Sequence, residues 1–486
     1  MNITRKFLPG CFLLLTLLLT GCGQEPAASV NDPTAQTTQT YATSTQVPEA
    51  ADSEDFSFGN LFSQEEDIPR HEDGRAIVTL SIFYASSEIE TAVVAFNESN
   101  SEYYVELLTA EEGTTAGDYW ERELVEISTG KGPDLFTKTL QTSFLTYIQK
   151  GVIEDLTPYI ERDLQKEDYV ESSLYAYARD GKVYAIESGF SVVFPAGSED
   201  ILGNRTGWNF TEMQEIMESQ PQLQIFESTY GSNVGDFLRD YLCYGGNDYT
   251  DYDTLRECLA FDKAYGKGLP DDIPAIPGDN VLVEQIIMDD ALDWADYEAL
   301  YARRLTPIGF VSDRESGILH EGFGWSINAA SKQKEGAWAF LRFLLSEEYQ
   351  RKYVQNFSPL KELLEEQLRF YSTPLTYTFY DEKTKQEYTY TTGHTLPRTT
   401  SATEVTPAYV AEHGTASIVI DCMSAEQLET VRRLIDNSRT ACFDWDATAQ
   451  NIIFEEAEYY FNDERSLDEV MSIIENRMNI YLAEQN

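Results

Sequence analysis

Positive charge is what this sequence has least of. Lys and Arg number 35 against 83 Asp and Glu, a formal charge of −48 at pH 7 over 486 residues. Such a chain has no basic face to offer nucleic acid or an anionic membrane, and it disfavours a strongly anionic ligand. Cysteine is scarce as well, at 6 residues, with no CxxC pair and no histidine at ligand spacing from any of them. Zinc and dithiol-redox chemistry are therefore not expected. The four histidines, His71, His320, His394 and His413, are scattered, and no HExxH occurs. A phosphate-cradling GxxxxGK[ST] loop and a GxSxG nucleophile elbow are both missing. No catalytic residue, metal or cofactor is implied. Carboxylate pairs for glycoside hydrolysis remain, because 83 acids supply many, but most will be solvated surface.

What is present begins at the N-terminus, MNITRKFLPGCFLLLTLLLTGC. Arg5 and Lys6 form a positive start, Phe7 to Leu19 an apolar stretch, and Leu19-Thr20-Gly21-Cys22 a small-residue cleavage site. The apolar stretch falls short of the ~20 residues that span a bilayer. The tetrapeptide resembles the lipobox of bacterial lipoproteins. That resemblance implies cleavage before Cys22, a diacylglycerol thioether on it, and an extracytoplasmic, membrane-anchored protein. Residues 1–21 are then the signal peptide.

Residues 22–74 are rich in Ser, Thr, Ala, Pro, Gln and acid, without apolar periodicity. A segment of this kind cannot bury enough surface to offset its ordering entropy, so a flexible tether is expected. As a coil of about 50 residues its mean reach is on the order of 40 Å. The roughly 410 residues beyond it exceed what one hydrophobic core serves, and two lobes are expected. An exported location permits disulfides, with Cys243–Cys258 and Cys422–Cys442 the sequence-near pairings; buried free thiols fit equally well.

In the ordered part, Val78, Leu80 and Ile82 alternate with polar neighbours and predict a strand ending near Tyr84. Ile89, Ala92, Val93 and Phe96 fall on one helical face, YYVELLT reads as a second strand, DYWERELVEIST as a helix, and DLF as a third strand. Strand and helix thus alternate at the spacing that βαβ units and a parallel sheet require. It resembles the extracellular solute-binding proteins of ABC importers, family 1, which include many carbohydrate binders. STGKGPDLFTKT, GVIEDLTPYIERD, RDGKVYAIESGF, TGWNFTEM, FGWSINAASKQKEGAWAFLRFLLSEEYQ and the C-terminal IIFEEAEYYFNDERSLDEVMSIIENRMNIYLAEQ follow in the order and spacing of that family. The likeness is weak over residues 225–305 and 365–420. Ser466 and Glu469 also stand at capping-box spacing before an amphipathic C-terminal helix.

The resemblance implies an α/β fold of two hinged lobes in residues 75–486, each a sheet flanked by helices, of the type II periplasmic-binding-protein kind. Lobe one would hold about 76–190 and 325–357, lobe two about 191–324 and 358–486. A small polar solute, most readily a sugar or oligosaccharide, would bind between them and pass to the permease subunits of the importer. The protein would work as a monomer, without enzymatic activity and without binding nucleic acid. An exported hydrolase and a surface receptor of the same fold are the alternatives. A sugar needs flat rings for its C–H face and polar groups for its hydroxyls. Strand ends and lobe crossings nominate Tyr84, Ser86, Glu88, Thr137, Phe190, Tyr230, Trp294 and Trp325. Trp208 and Trp338 are expected to be structural.

Overall fold

The structure is a computed structural model. It describes residues 68–111, 113–138, 144–226, 235–269, 273, 275–313, 316–381, 385–392, 398–399, 417–418, 422–440 and 446–485. His71–Asn486 form one compact unit, and of the preceding unit, Met1–Arg70, only residues 68–70 are described. Cys22 and Tyr230 lie outside the described residues.

Strand β1 (Ala76–Ile82) sends Val78 and Leu80 inward, as its alternation dictates. Helix α1 (Ser87–Ser99) follows and buries Ile89, Ala92, Val93 and Phe96. Then come β2 (Tyr103–Thr109), parallel to β1, helix α2 (Ala116–Ser128), whose N-terminus Thr115 caps, and β3 (Leu135–Lys138), parallel on the other side of β1. The GPD turn before β3 has a physical purpose. Asp134 accepts hydrogen bonds from the Thr79 amide and hydroxyl at 2.8 and 2.9 Å, tying β3 to β1. A Cβ at Gly132 would lie 2.8 Å from the Ile127 Cα, so the helix end closes on the turn only over glycine.

The chain then passes into a second sheet through β4 (Ser191–Ser198), which is buried along its whole length. Helix α3 (Phe210–Ser219) starts with a capping box between Asn209 and Glu212, and α4 (Tyr252–Tyr265) is capped by Asp251. Strand β5 (Val283–Met288), helix α5 (Ala291–Tyr301), and strands β6 (Leu305–Pro307) and β7 (Leu319–Glu321) complete this part; all three strands pair antiparallel with β4. Strand β8 (Gly324–Ile327) returns to the first sheet, giving it the order β8-β3-β1-β2. Helices α6 (Lys334–Leu344) and α7 (Glu347–Tyr353) pack there.

A third passage leads to α8 (Lys361–Ser372), the hairpin β9 (Leu375–Asp381) and β10 (Gln386–Thr392), and helices α9 (Ala425–Asp436), α10 (Ala447–Phe461) and α11 (Leu467–Gln485). Separate cores serve the two sheets. One gathers Val78, Leu80, Phe96, Trp325, Trp338 and Phe340; another gathers Phe190, Phe194, Ile286, Trp294, Leu368 and Leu434. The fold is thus α/β with two lobes, joined where Ile186 bridges Trp325 and Phe190 bridges Phe357. Cys243, Cys258 and Cys422 are free thiols, the first two buried, and Cys442 lies outside the described residues.

Candidate functional site

The carboxyl end of β1 carries the most open of the nominated residues. Tyr84 is 63% exposed, Glu88 is exposed in the first turn of α1, and Ser86 is half-buried with its hydroxyl making no cap hydrogen bond. Thr137, half-buried on β3, lies opposite Trp325 of β8 in the antiparallel ladder. Three of the four follow the end of β1, and Thr137 lies on β3, the neighbouring strand of the same sheet.

The other described nominees are elsewhere. Phe190 is wholly buried, stacked on His320 at 4.3 Å and against Phe357 at 5.5 Å. Trp294 packs on Phe194, and Trp325 meets Phe340 edge-on in the lobe-one core; both are 2% exposed. In this arrangement none of the three offers a ring face to a ligand. The aromatic character that nominated them serves packing instead. Trp208 and Trp338 are buried too, their indole N–H groups donating to Gly309 O at 2.8 Å and Asp163 Oδ2 at 2.7 Å.

Lobe two presents a row that the sequence reading passed over. Ser191 pairs with Glu321 across β4 and β7, and its hydroxyl donates to Asp289 Oδ1 at 2.6 Å. Burial, with the charge of Asp289 adding to it, pushes the half-buried Glu321 carboxyl up to about 7. Below Asp289 the Asp293 carboxylate takes the amides of Asp289 and Asp290 at 2.8 and 3.0 Å; burial, then Asp290, raises its pKa. The strand-end rule that selected Tyr84 also selects Ser191, which begins β4, Asp289, which follows β5, and Glu321, which ends β7.

A sequence profile of the bacterial extracellular solute-binding proteins matches residues 91–362. The chain belongs to this family. No curated protein matches the sequence. Among solved structures it is similar to the sugar-binding protein MalE of Xanthomonas citri, at 12% identity and TM-score 0.49, covering 84% of this chain and 98% of that one. It is also similar to an ABC substrate-binding protein of Listeria monocytogenes in complex with cycloalternan, at 14% identity and TM-score 0.46, covering 84% and 99%. Maltose-bound MalE3 of T. maritima matches at 13% and 0.46, covering 83% and 99%.

In this solute-binding protein the residues at these strand ends carry hydroxyls, carboxylates and one open phenol ring. A shallow depression elsewhere, lined by Thr206, Trp208, Asn209, Glu212, Ser312 and Asp313, is less suited. Its Asn209 and Glu212 are spent on the α3 cap and its Ser312 on Gly245 O. Among the described residues no cluster of His, Cys, Asp and Glu could hold a metal ion, and no helix is long and apolar enough to cross a membrane.

Proposed function

We propose that this protein captures a neutral, hydroxyl-rich solute, a sugar or oligosaccharide, between its lobes and delivers it to the permease of an ABC importer. The observation that carries this reading is the set of strand-end hydroxyls, carboxylates and one phenol ring in a member of the solute-binding family. Tyr84 offers a stacking face, and Ser86, Glu88, Thr137, Ser191, Asp289 and Glu321 offer acceptors and hydroxyls. No lysine or arginine is among them, which suits a neutral ligand better than an anionic one. Tyr230, outside the described residues, is proposed as a further ligand contact. The protein holds its ligand without transforming it, acts as a monomer, and is tethered to the outer face of the membrane through lipidated Cys22 and residues 22–74.

A thermal-shift screen of the protein against sugars and short peptides, with product analysis of every hit, tests the reading. A sugar at 100 times its dissociation constant adds about 2.7 kcal/mol of stability and is recovered intact. Stabilisation by peptides alone, or cleavage of the bound sugar, would overturn it.

A further inference from the structure

The crossing strands carry a buried polar chain that runs from one lobe to the other. Glu187, on the first crossing, contacts His320 Nε2 of β7 through its Oε1, and both side chains are fully buried. Ser173 donates to the same Glu187 oxygen at 2.7 Å. His320 Nδ1 meets Ser438 Oγ at 2.9 Å, and that hydroxyl spends its own proton on Ile435 O at 2.8 Å. The Ser438 oxygen therefore accepts from an Nδ1–H, which fixes the ring's orientation and leaves Nε2 facing the Glu187 carboxyl. The second Glu187 oxygen is buried without a hydrogen-bond partner, and a Cβ at Gly322 would come within 2.4 Å of it.

Each end of this chain is fixed to a different lobe. Ser173 sits in the helical turn Glu171–Leu174, whose Leu174 belongs to the lobe-one core. Ser438 follows α9, whose Val431, Leu434 and Ile435 belong to the lobe-two core. Other contacts also link the lobes: Lys361 Nζ to Glu167 O at 3.0 Å, and Arg351 with Glu366 at 2.6 Å. The Glu321 side chain points to the other face. In the β4–β7 ladder Val192 pairs with His320 and Ser191 with Glu321, so the pleat sends His320 and Glu321 to opposite sides. A rotation about these strands that brings the lobes together on that face must separate groups on the opposite face.

We propose that Ser173–Glu187–His320–Ser438 is a latch across the back of the hinge, one that opposes closure of the lobes and so sets how strongly a solute must bind to close them. The inference rests on the solute-capture reading, but its test needs no solute. Spin labels on genetically encoded residues at exposed positions Asp168 of lobe one and Glu429 of lobe two report the separation across the back in the full-length chain. Ser173→Ala and Ser438→Ala should each raise the ratio of long to short separations about two- to tenfold, the worth of one hydrogen bond. Ser326→Ala, which removes a buried hydroxyl bonded to Tyr184 O at 3.0 Å inside lobe one, should leave the separations unchanged whatever it costs in stability. Distributions in both latch variants that superimpose on the wild type, or that move to shorter separations, would overturn the latch. Failure to bind any sugar would leave this result standing and count against the solute reading alone.

Discussion

Trp325 and Glu88 make opposite predictions. The indole of Trp325 is packed against Phe340 in the lobe-one core, so Trp325→Ala should cost about 3–5 kcal/mol of stability, seen as a fall in melting temperature. Glu88 stands exposed at the first turn of α1 and holds up no core. Glu88→Ala should leave melting unchanged and weaken sugar binding by ~1.5–3 kcal/mol, about tenfold to a hundredfold, in a calorimetric titration. Glu321 yields a third test. Its carboxyl is raised from 4.5 to about 7 on folding, so the folded state holds the proton more tightly than the unfolded chain. That contribution is fully present below about pH 4.5 and fades as pH rises through 7. Glu321→Gln should therefore gain on the wild type between pH 5 and pH 8, by about 1–3 kcal/mol at the upper end, in paired melting curves. An unchanged difference across that range would refute the raised carboxyl. At this scale the sequence was only partly legible. Residue type marks a ring or an acid, but the strand's facing decides whether Trp325 lines a cleft or fills a core, and that facing depends on the partner strand.

Among the elements, those with strong local signals were readable and those built by distant pairing were not. The alternation of β1, the amphipathic face of α1 and the Ser466–Glu469 capping box all arise within a dozen residues. The box is formed, with Glu469 N to Ser466 Oγ at 3.3 Å and Ser466 N to Glu469 Oε2 at 3.0 Å. Ser466→Ala should cost about 1 kcal/mol, measured by chemical denaturation, because the first turn of α11 loses an acceptor. By contrast β4 is buried at every position and β5 pairs with it across some 90 residues, so neither periodicity nor neighbourhood announces the second sheet. The same non-locality hides the Ser191–Asp289 contact, whose partners are 98 residues apart. Ser191, Asp289 and Glu321 become neighbours only once β4, β5 and β7 lie side by side.

On the scale of the whole molecule, two lobes with separate hydrophobic cores are joined by three short crossings. The two-lobed α/β architecture was legible because the order of motifs along the chain constrains topology more than any single motif does. The membrane end of the molecule has its own check: Cys22→Ala should remove lipid attachment and leave sugar affinity unchanged, read by partition into detergent and by calorimetry. The most direct test of the central claim is small-angle scattering of the protein with and without a sugar that calorimetry shows to be saturating. Closure of the lobes on the solute predicts a smaller radius of gyration in the loaded protein and a return to the larger value when the sugar is dialysed away. An identical scattering profile in the two states would contradict capture by lobe closure.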